Sequence, residues 1–137
     1  MGIFNRFTDI LKANVNDLLD KAENPEKMLK QMVIEMEEAV NEATMALGEA
    51  IANEKSLAHQ MENKTKDAEE YQQKAAEAVK MGRDDLAKQA LERKVMLLKA
   101  AKDLEGPLVE AQKSTGDLKQ QVAVSYTHLT LPTIYSV

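Results

Sequence analysis

Apolar residues recur at intervals of three and four along most of this chain, which is the spacing of one face of an α-helix. Two short interruptions divide the pattern, one at Asn24-Pro25 and one at Gly82. The pattern therefore predicts three helices, over residues 2–22, about 25–81 and about 84–122.

The residues at the two interruptions are typical of helix ends. Asn24 suits the N-cap of the second helix, and Pro25 suits its first turn. Gly82 can take the left-handed conformation that ends a helix, and Asp84 is expected to cap the third helix. Two long helices joined by a turn near 82–84 predict an antiparallel coiled-coil hairpin.

Each hairpin helix carries a seam, meaning the row of positions expected to face the other helix. In the second helix the three-four alternation falters near Glu54, and in the third Gly106-Pro107 is expected to introduce a kink. The predicted seam of the second helix comprises Leu29, Met32, Met36, Ala39, Ala43, Ala46, Ala50, Leu57, Met61, Lys64, Ala68, Tyr71, Ala75 and Ala78. That of the third comprises Ala87, Ala90, Lys94, Leu97, Ala101, Leu104, Leu108, Ala111, Thr115, Leu118 and Val122.

The end of the chain departs from this pattern. Residues 124–137 are uncharged, rich in β-branched residues and interrupted by Pro132. They resemble a translated sequencing adapter, so we expect an artefactual and dispensable tail; a genuine short strand is the alternative. If the third helix ends near Val122, the seam from Leu29 to Met45 lacks partners within the hairpin.

Composition agrees with helices rather than with a thick globular core. Charged residues make up 30% of the chain and aromatic residues 4%. The chain has no cysteine, which excludes disulfides and Cys-based metal sites. The net charge of −5 argues against nucleic-acid binding. No apolar run is long enough to span a bilayer, and polar residues interrupt any signal-peptide core.

The chain offers no arrangement typical of catalysis. Glu37 and Glu38 are adjacent, so their side chains diverge on a helix. His59 has no second histidine at metal-ligand spacing, and His128 lies in the suspected tail. We therefore expect no enzyme activity, no metal site and no cofactor.

The predicted helix over residues 2–22 is amphipathic, and its charges nearly cancel. Such a helix either lies in a membrane interface or packs on the hairpin or on a neighbouring molecule. The pattern alone does not choose between these. The residues expected to insert in the membrane are Phe4, Phe7, Ile10, Leu11 and Leu18.

Two stretches of opposite charge lie at different distances from Gly82. Residues 31–53 contain no Lys or Arg, whereas residues 88–102 carry five cations against Glu92 alone. The two stretches cannot face each other within one hairpin, but hairpins that slide past one another would bring them together. The alternative is two solvated helix faces. The candidate homo-oligomer interface comprises Glu35, Glu38, Glu42, Lys94, Lys99 and Lys102.

Several strings resemble the phage shock protein A family, which includes the vesicle-inducing protein in plastids. The resemblance covers about residues 1–122. The chain departs from the family by lacking its later helices and by the interruption at Gly106-Pro107. The strings are Met1-Gly2-Ile3-Phe4-x-Arg6-Phe7, Ala13-Asn14-x-Asn16, Leu18-Leu19-x-Lys21-Ala22-Glu23-x-Pro25, Glu35-Met36-Glu37, and Asp85-Leu86-Ala87 with Ala90-Leu91.

The residue pattern predicts an all-α protein with an amphipathic helix over 1–23, a coiled-coil hairpin over 24–123 and the suspected tail over 124–137. The resemblance implies that the fold is ESCRT-III-like and that the first helix binds membranes. It implies a self-assembling protein that binds anionic lipids from the cytoplasmic side and maintains or remodels the bacterial inner membrane under envelope stress. The alternative function is a regulatory module that inhibits an AAA+ transcription activator.

Overall fold

The computed structural model describes the backbone of residues 23–135 and the side chains of residues 23–127. The predicted helix over 2–22 lies outside the described residues. Three helices follow in order, α1 (Pro25–Lys80), α2 (Asp84–Asp103) and α3 (Glu105–Tyr135). Every regular element in the described part is helical, which confirms the all-α prediction. The chain forms two compact units, one over Glu49–Thr115 and one that includes residues 23–48 and 116–135.

The start of α1 has the predicted cap. The Oδ1 atom of Asn24 accepts a hydrogen bond of 3.2 Å from the backbone N–H of Lys27. The Asn24 carbonyl accepts the first backbone bond, from the N–H of Met28 at 3.1 Å. Pro25 occupies the first helical position, where a backbone N–H would have no partner within the helix.

The end of α1 is a Schellman motif built on Gly82. The N–H of Arg83 donates to the carbonyl of Ala78 at 2.8 Å, and the N–H of Gly82 donates to that of Val79 at 3.0 Å. Gly82 has a φ of 71°, the left-handed conformation that side chains with a Cβ disfavour. The prediction that this glycine ends the helix is confirmed.

The predicted cap of α2 is wrong. Arg83 occupies the N-cap position and makes no side-chain cap bond, while Asp84 is already the first helical residue. The reason is the short connection, because the Schellman motif leaves only Arg83 between Gly82 and the next helix. The Asp84 and Asp85 carboxylates instead lie in the first turn, where the helix dipole favours negative charge.

In the unit over Glu49–Thr115, α1 and α2 form the antiparallel hairpin around the predicted seam. The larger residues of this seam are partly buried, as are the polar seam residues Lys64 and Lys94. Glu54, at the point where the alternation falters, is also partly buried, so the seam continues through it. The fully buried residues of this seam are small: Ala68, Ala75, Ala87, Ala101, Ala111 and Thr115.

The interruption between α2 and α3 lies at Leu104, three residues before Pro107. The N–H of Leu104 donates to the carbonyl of Ala101 at 3.1 Å, a tighter bond than the α-helical pattern. Leu104 then accepts the first bond of α3, from the N–H of Leu108 at 3.0 Å. Pro107 thereby falls in the first turn of α3, where its missing N–H removes no helical bond. The predicted interruption of the third helix is present, but it lies at Leu104 and does not arise from a helical bond lost at Pro107.

In the other unit, the seam predicted to lack partners is buried from Met36 onward, whereas Leu29 is exposed and Met32 partly buried. Met36, Ala39 and Ala43 are buried as the period requires, and Val40 is 2% exposed although it was not assigned to the seam. The prediction failed because α3 continues to Tyr135, which supplies this unit with a second helical segment.

The helix α3 also continues beyond Val122, where the third helix was predicted to end. Ser125 follows Val122 at the next seam step and is 3% exposed. The hydroxyls of Ser125 and Thr127 donate to the carbonyls four residues earlier at 2.8 and 2.9 Å, so they need no partner outside the helix. Composition argued against a helix here, but the spacing of buried positions continues. That residues 124–137 are an artefact stays a prediction.

Alanine substitutions at two glycines test the role of Gly82 in the turn. Gly82→Ala should lower the free energy of unfolding by about 1–2 kcal/mol, because alanine resists the left-handed conformation. The control is Gly48→Ala, within α1, where an added Cβ meets nothing within 4 Å. That change should raise the free energy of unfolding by about 0.5–1 kcal/mol. Urea denaturation followed by circular dichroism measures both, and effects of the same sign would contradict this account.

Candidate membrane-binding and self-association surfaces

The residues predicted to enter the membrane all fall before the described part of the chain. They are Phe4, Phe7, Ile10, Leu11 and Leu18, and their role stays a prediction. Across residues 23–135, no helix has an apolar stretch sufficient to cross a bilayer.

The acidic residues of the candidate interface lie on α1. Glu38 and Glu42 are exposed, whereas Glu35 is partly buried. Glu38 and Glu42 are four residues apart and therefore neighbours on one helix face. That face is turned away from the buried side chains of Met36, Ala39 and Val40. Two of the three predicted acidic residues are thus available to another molecule.

The basic residues of the candidate interface separate into two groups. Lys94 lies on the hairpin seam, and its Nζ donates a hydrogen bond of 2.7 Å to Oε1 of Gln72 on the facing helix. Lys99 and Lys102 are exposed on α2. Lys94 is therefore part of the hairpin seam. Of the three predicted basic interface residues, Lys99 and Lys102 are the exposed ones.

The distribution of apolar side chains by size was not anticipated from the sequence. Among the side chains that the structure describes, nine apolar residues are buried; seven of them are alanines and the other two are Met36 and Val40. Larger apolar side chains are exposed on α2, including Leu91, Val95 and Leu98. These three follow the seam residues Ala90, Lys94 and Leu97 by one position each, so they repeat the same heptad spacing. The sequence therefore did contain a sign of these exposed residues, namely a second apolar row one position after the seam.

The described residues show no arrangement suited to catalysis or metal binding. His59, Glu37 and Glu38 are all exposed. Among the described side chains no group of three or more His, Asp or Glu residues is placed to hold a metal ion.

Comparison with known proteins places the chain in a family. Residues 2–130 match the PspA/IM30 family. The membrane-associated protein Vipp1 of Synechocystis is 34% identical over 123 residues, covering 90% of this chain and 46% of Vipp1. A phage shock protein A homologue of Deinococcus radiodurans is 35% identical over 122 residues, covering 89% and 55%. The protein LiaH of Bacillus subtilis is 32% identical over 131 residues, covering 93% and 56%.

A helical hairpin with these relatives defines a coiled-coil protein of the phage shock class. The chain belongs to the PspA/IM30 family. Membership agrees with the expectation that it is not an enzyme, because these relatives are named for membrane association and the phage shock response. The chain spans about half the length of the curated relatives it matches.

A double-mutant cycle tests the assignment of Lys94 to the hairpin. Lys94→Met and Gln72→Ala should show a coupling of about 0.5–1.5 kcal/mol in the free energy of unfolding, because each change removes the same hydrogen bond. The control cycle replaces Lys94→Met with Lys99→Met. Since Lys99 is exposed, its coupling to Gln72 should be near zero. Equal couplings in the two cycles would show that Lys94 has no special place in the hairpin.

Proposed function

We propose that this chain is a peripheral membrane-binding, self-assembling protein that maintains or remodels the bacterial inner membrane under envelope stress, acting from its cytoplasmic face. The observation that carries the proposal is the match to the PspA/IM30 family over residues 2–130. That match includes both the amphipathic segment and the hairpin. The membrane-associated name of the Vipp1 relative supports the same role.

Membrane binding is proposed to reside in residues 2–22. Burying apolar side chains such as Phe4 and Phe7 in the interface supplies the driving force. The basic residues of this segment are nearly balanced by acidic ones, so each copy gains little from anionic lipid. Assembly of many copies multiplies a weak individual affinity, which links the membrane role to self-association.

Acidic substitutions in the first segment test the membrane role. Phe4→Glu or Phe7→Glu should weaken binding to phosphatidylglycerol-containing vesicles by about tenfold, because each replaces an inserted ring with a charge. Vesicle co-sedimentation measures the effect. Asn16→Glu is the matched control, since it adds the same charge on the polar face of the predicted helix. If the phenylalanine variants bind like the parent, residues 2–22 do not carry the membrane affinity.

Self-association is proposed to use the opposite charges of the two hairpin arms. Glu38 and Glu42 are exposed on α1, and Lys99 and Lys102 are exposed on α2. These pairs lie at different distances from the turn at Gly82, so contact between them is expected between molecules. Such complementarity fixes the register between neighbours and adds modestly to affinity.

Charge reversal on α2 tests this contact. Lys99→Glu with Lys102→Glu should shift sedimentation-velocity distributions toward smaller species, because the acidic stretch of a neighbour would then be repelled. The control is Lys55→Glu with Lys66→Glu, which changes the net charge equally at two other exposed positions. Similar shifts in both variants would mean that general repulsion, not a specific contact, governs assembly.

A second proposed role is inhibition of an AAA+ transcription activator, which the resemblance to the phage shock protein A family implies. The two roles place different demands on the chain. Membrane binding requires residues 2–22, whereas a regulator could bind the hairpin alone. A chain without residues 2–22 that still binds the activator but not vesicles would separate the two.

A further inference from the structure

The start of α1 carries apolar side chains that the rest of the described chain leaves exposed. Leu29, Val33 and Ile34 are 42%, 43% and 47% exposed. They line a shallow groove together with Lys30 and Glu37, and these five residues are here called the α1 groove. An exposed apolar surface bordered by charges is typical of a site that another element covers.

The exposed apolar face is distinct from the buried side of α1. Ile34 and Met36 are two residues apart, so they point in directions that differ by about 160° around the helix. Met36 is buried, whereas Ile34 is exposed. Met45 follows Ile34 by three turns, lies on nearly the same face and is 69% exposed. The apolar face therefore extends from the α1 groove to Met45.

The chain direction before α1 brings residues 2–22 back toward this face. The backbone bends at Glu23, and Asn24 precedes Pro25, which keeps it out of the helical conformation. The predicted helix over 2–22 therefore cannot continue straight into α1. A connection of two residues is enough to join two antiparallel helices.

The length of the segment matches the length of the apolar face. Residues 2–22 and residues 25–45 each number 21, which corresponds to about 31 Å of helix. An antiparallel arrangement places residues that are equally distant from Asn24 at the same level. Val15 would then lie at the level of Val33, and Phe4 within one residue of the level of Met45, where sulfur–aromatic contact is favourable.

The same alignment brings opposite charges together. Four of the six charged residues in 2–22 fall within one residue of the level of an opposite charge on α1, and the four α1 residues are all exposed. Asp9 and Lys21 are the exceptions. The pairs are Arg6 with Glu42, Lys12 with Glu37, Asp17 with Lys30 and Asp20 with Lys27. Shape, length and charge therefore favour the same occupant of the face.

We propose that the α1 groove is the docking site for residues 2–22 of the same molecule, and that this segment leaves the groove when it binds a membrane. The inference rests on the membrane role proposed above and adds where the apolar residues of the segment lie in the absence of lipid. A docked segment must leave α1 before it inserts, so docking lowers the apparent affinity for membranes. Its departure also frees Glu42 for the proposed contact with a neighbouring copy.

A crosslinked cysteine pair tests the docking in the full chain, which has no native cysteine. Val15→Cys with Val33→Cys should react with a short bismaleimide within one molecule, and phosphatidylglycerol-containing vesicles should lower the crosslinked fraction by about threefold or more. Denaturing electrophoresis and mass spectrometry separate crosslinked monomers from dimers. The control pair is Val15→Cys with Lys66→Cys. Lys66 is exposed but lies about 60 Å along α1 from Pro25, beyond the reach of residues 2–22, so this pair should not crosslink within one molecule.

Serine substitutions in the groove test the effect of docking on membrane affinity. Val33→Ser with Ile34→Ser should strengthen vesicle binding by about three- to tenfold, because fewer copies of the segment are held on α1. Val79→Ser is the control: Val79 is 58% exposed and also lies on α1, but beyond the reach of residues 2–22. It should bind vesicles within about twofold of the parent, and circular dichroism should show equal helicity in all three proteins.

Three results would overturn the proposal. The cysteines at positions 15 and 33 could crosslink only between molecules, which would assign the groove to a second copy, or could fail to crosslink at all. Vesicle binding could also be unchanged in the groove variant. A parent chain that does not bind vesicles would instead refute the proposed membrane role and with it the release step, whereas the crosslink in the absence of lipid reports on docking by itself.

Discussion

The hairpin depends on the close packing of small side chains along its seam, reversed at Gly82. Alanines such as Ala68, Ala75 and Ala101 are buried and allow the two helices to approach closely. Each alanine removes little apolar area from water, so the stability of the pair is spread over many positions. The left-handed conformation of Gly82 and the hydrogen bond between Lys94 and Gln72 favour one register of the two helices.

The fully buried positions of the seam are mainly alanine, which leaves larger apolar side chains elsewhere on the surface. Several of these on α2, among them Leu91, Val95 and Leu98, lie outside the seam and are exposed. Exposed apolar rows of this kind are typical of surfaces that become buried in an assembly. The proposed division is therefore by location: the seam holds the hairpin together, the exposed faces join neighbouring copies, and residues 2–22 contact the membrane.

Much of the fold followed from the sequence because a helix repeats its faces with a fixed period. That period located the seam through Lys64 and Lys94, whose polar character alone would have argued against burial. The composition of residues 124–137 wrongly suggested that the third helix stops before them. The hydroxyls of Ser125 and Thr127 donate hydrogen bonds within α3, so these residues are compatible with a helix. The prediction that Asp84 caps α2 was wrong because the backbone conformation of the turn determines which residue begins α2, and apolar spacing does not reveal that conformation. The exposed apolar row of Leu91, Val95 and Leu98 was missed because each helix was assigned a single row of apolar positions, and this row lies one position beyond the seam.

Hydrogen–deuterium exchange of the full chain, with and without phosphatidylglycerol vesicles, tests most directly where the membrane contact lies. Vesicles should slow exchange in residues 2–22 and leave the amides on the buried seam of α1 and α2 unchanged. Slower exchange confined to α1 and α2, with residues 2–22 unaffected, would contradict it.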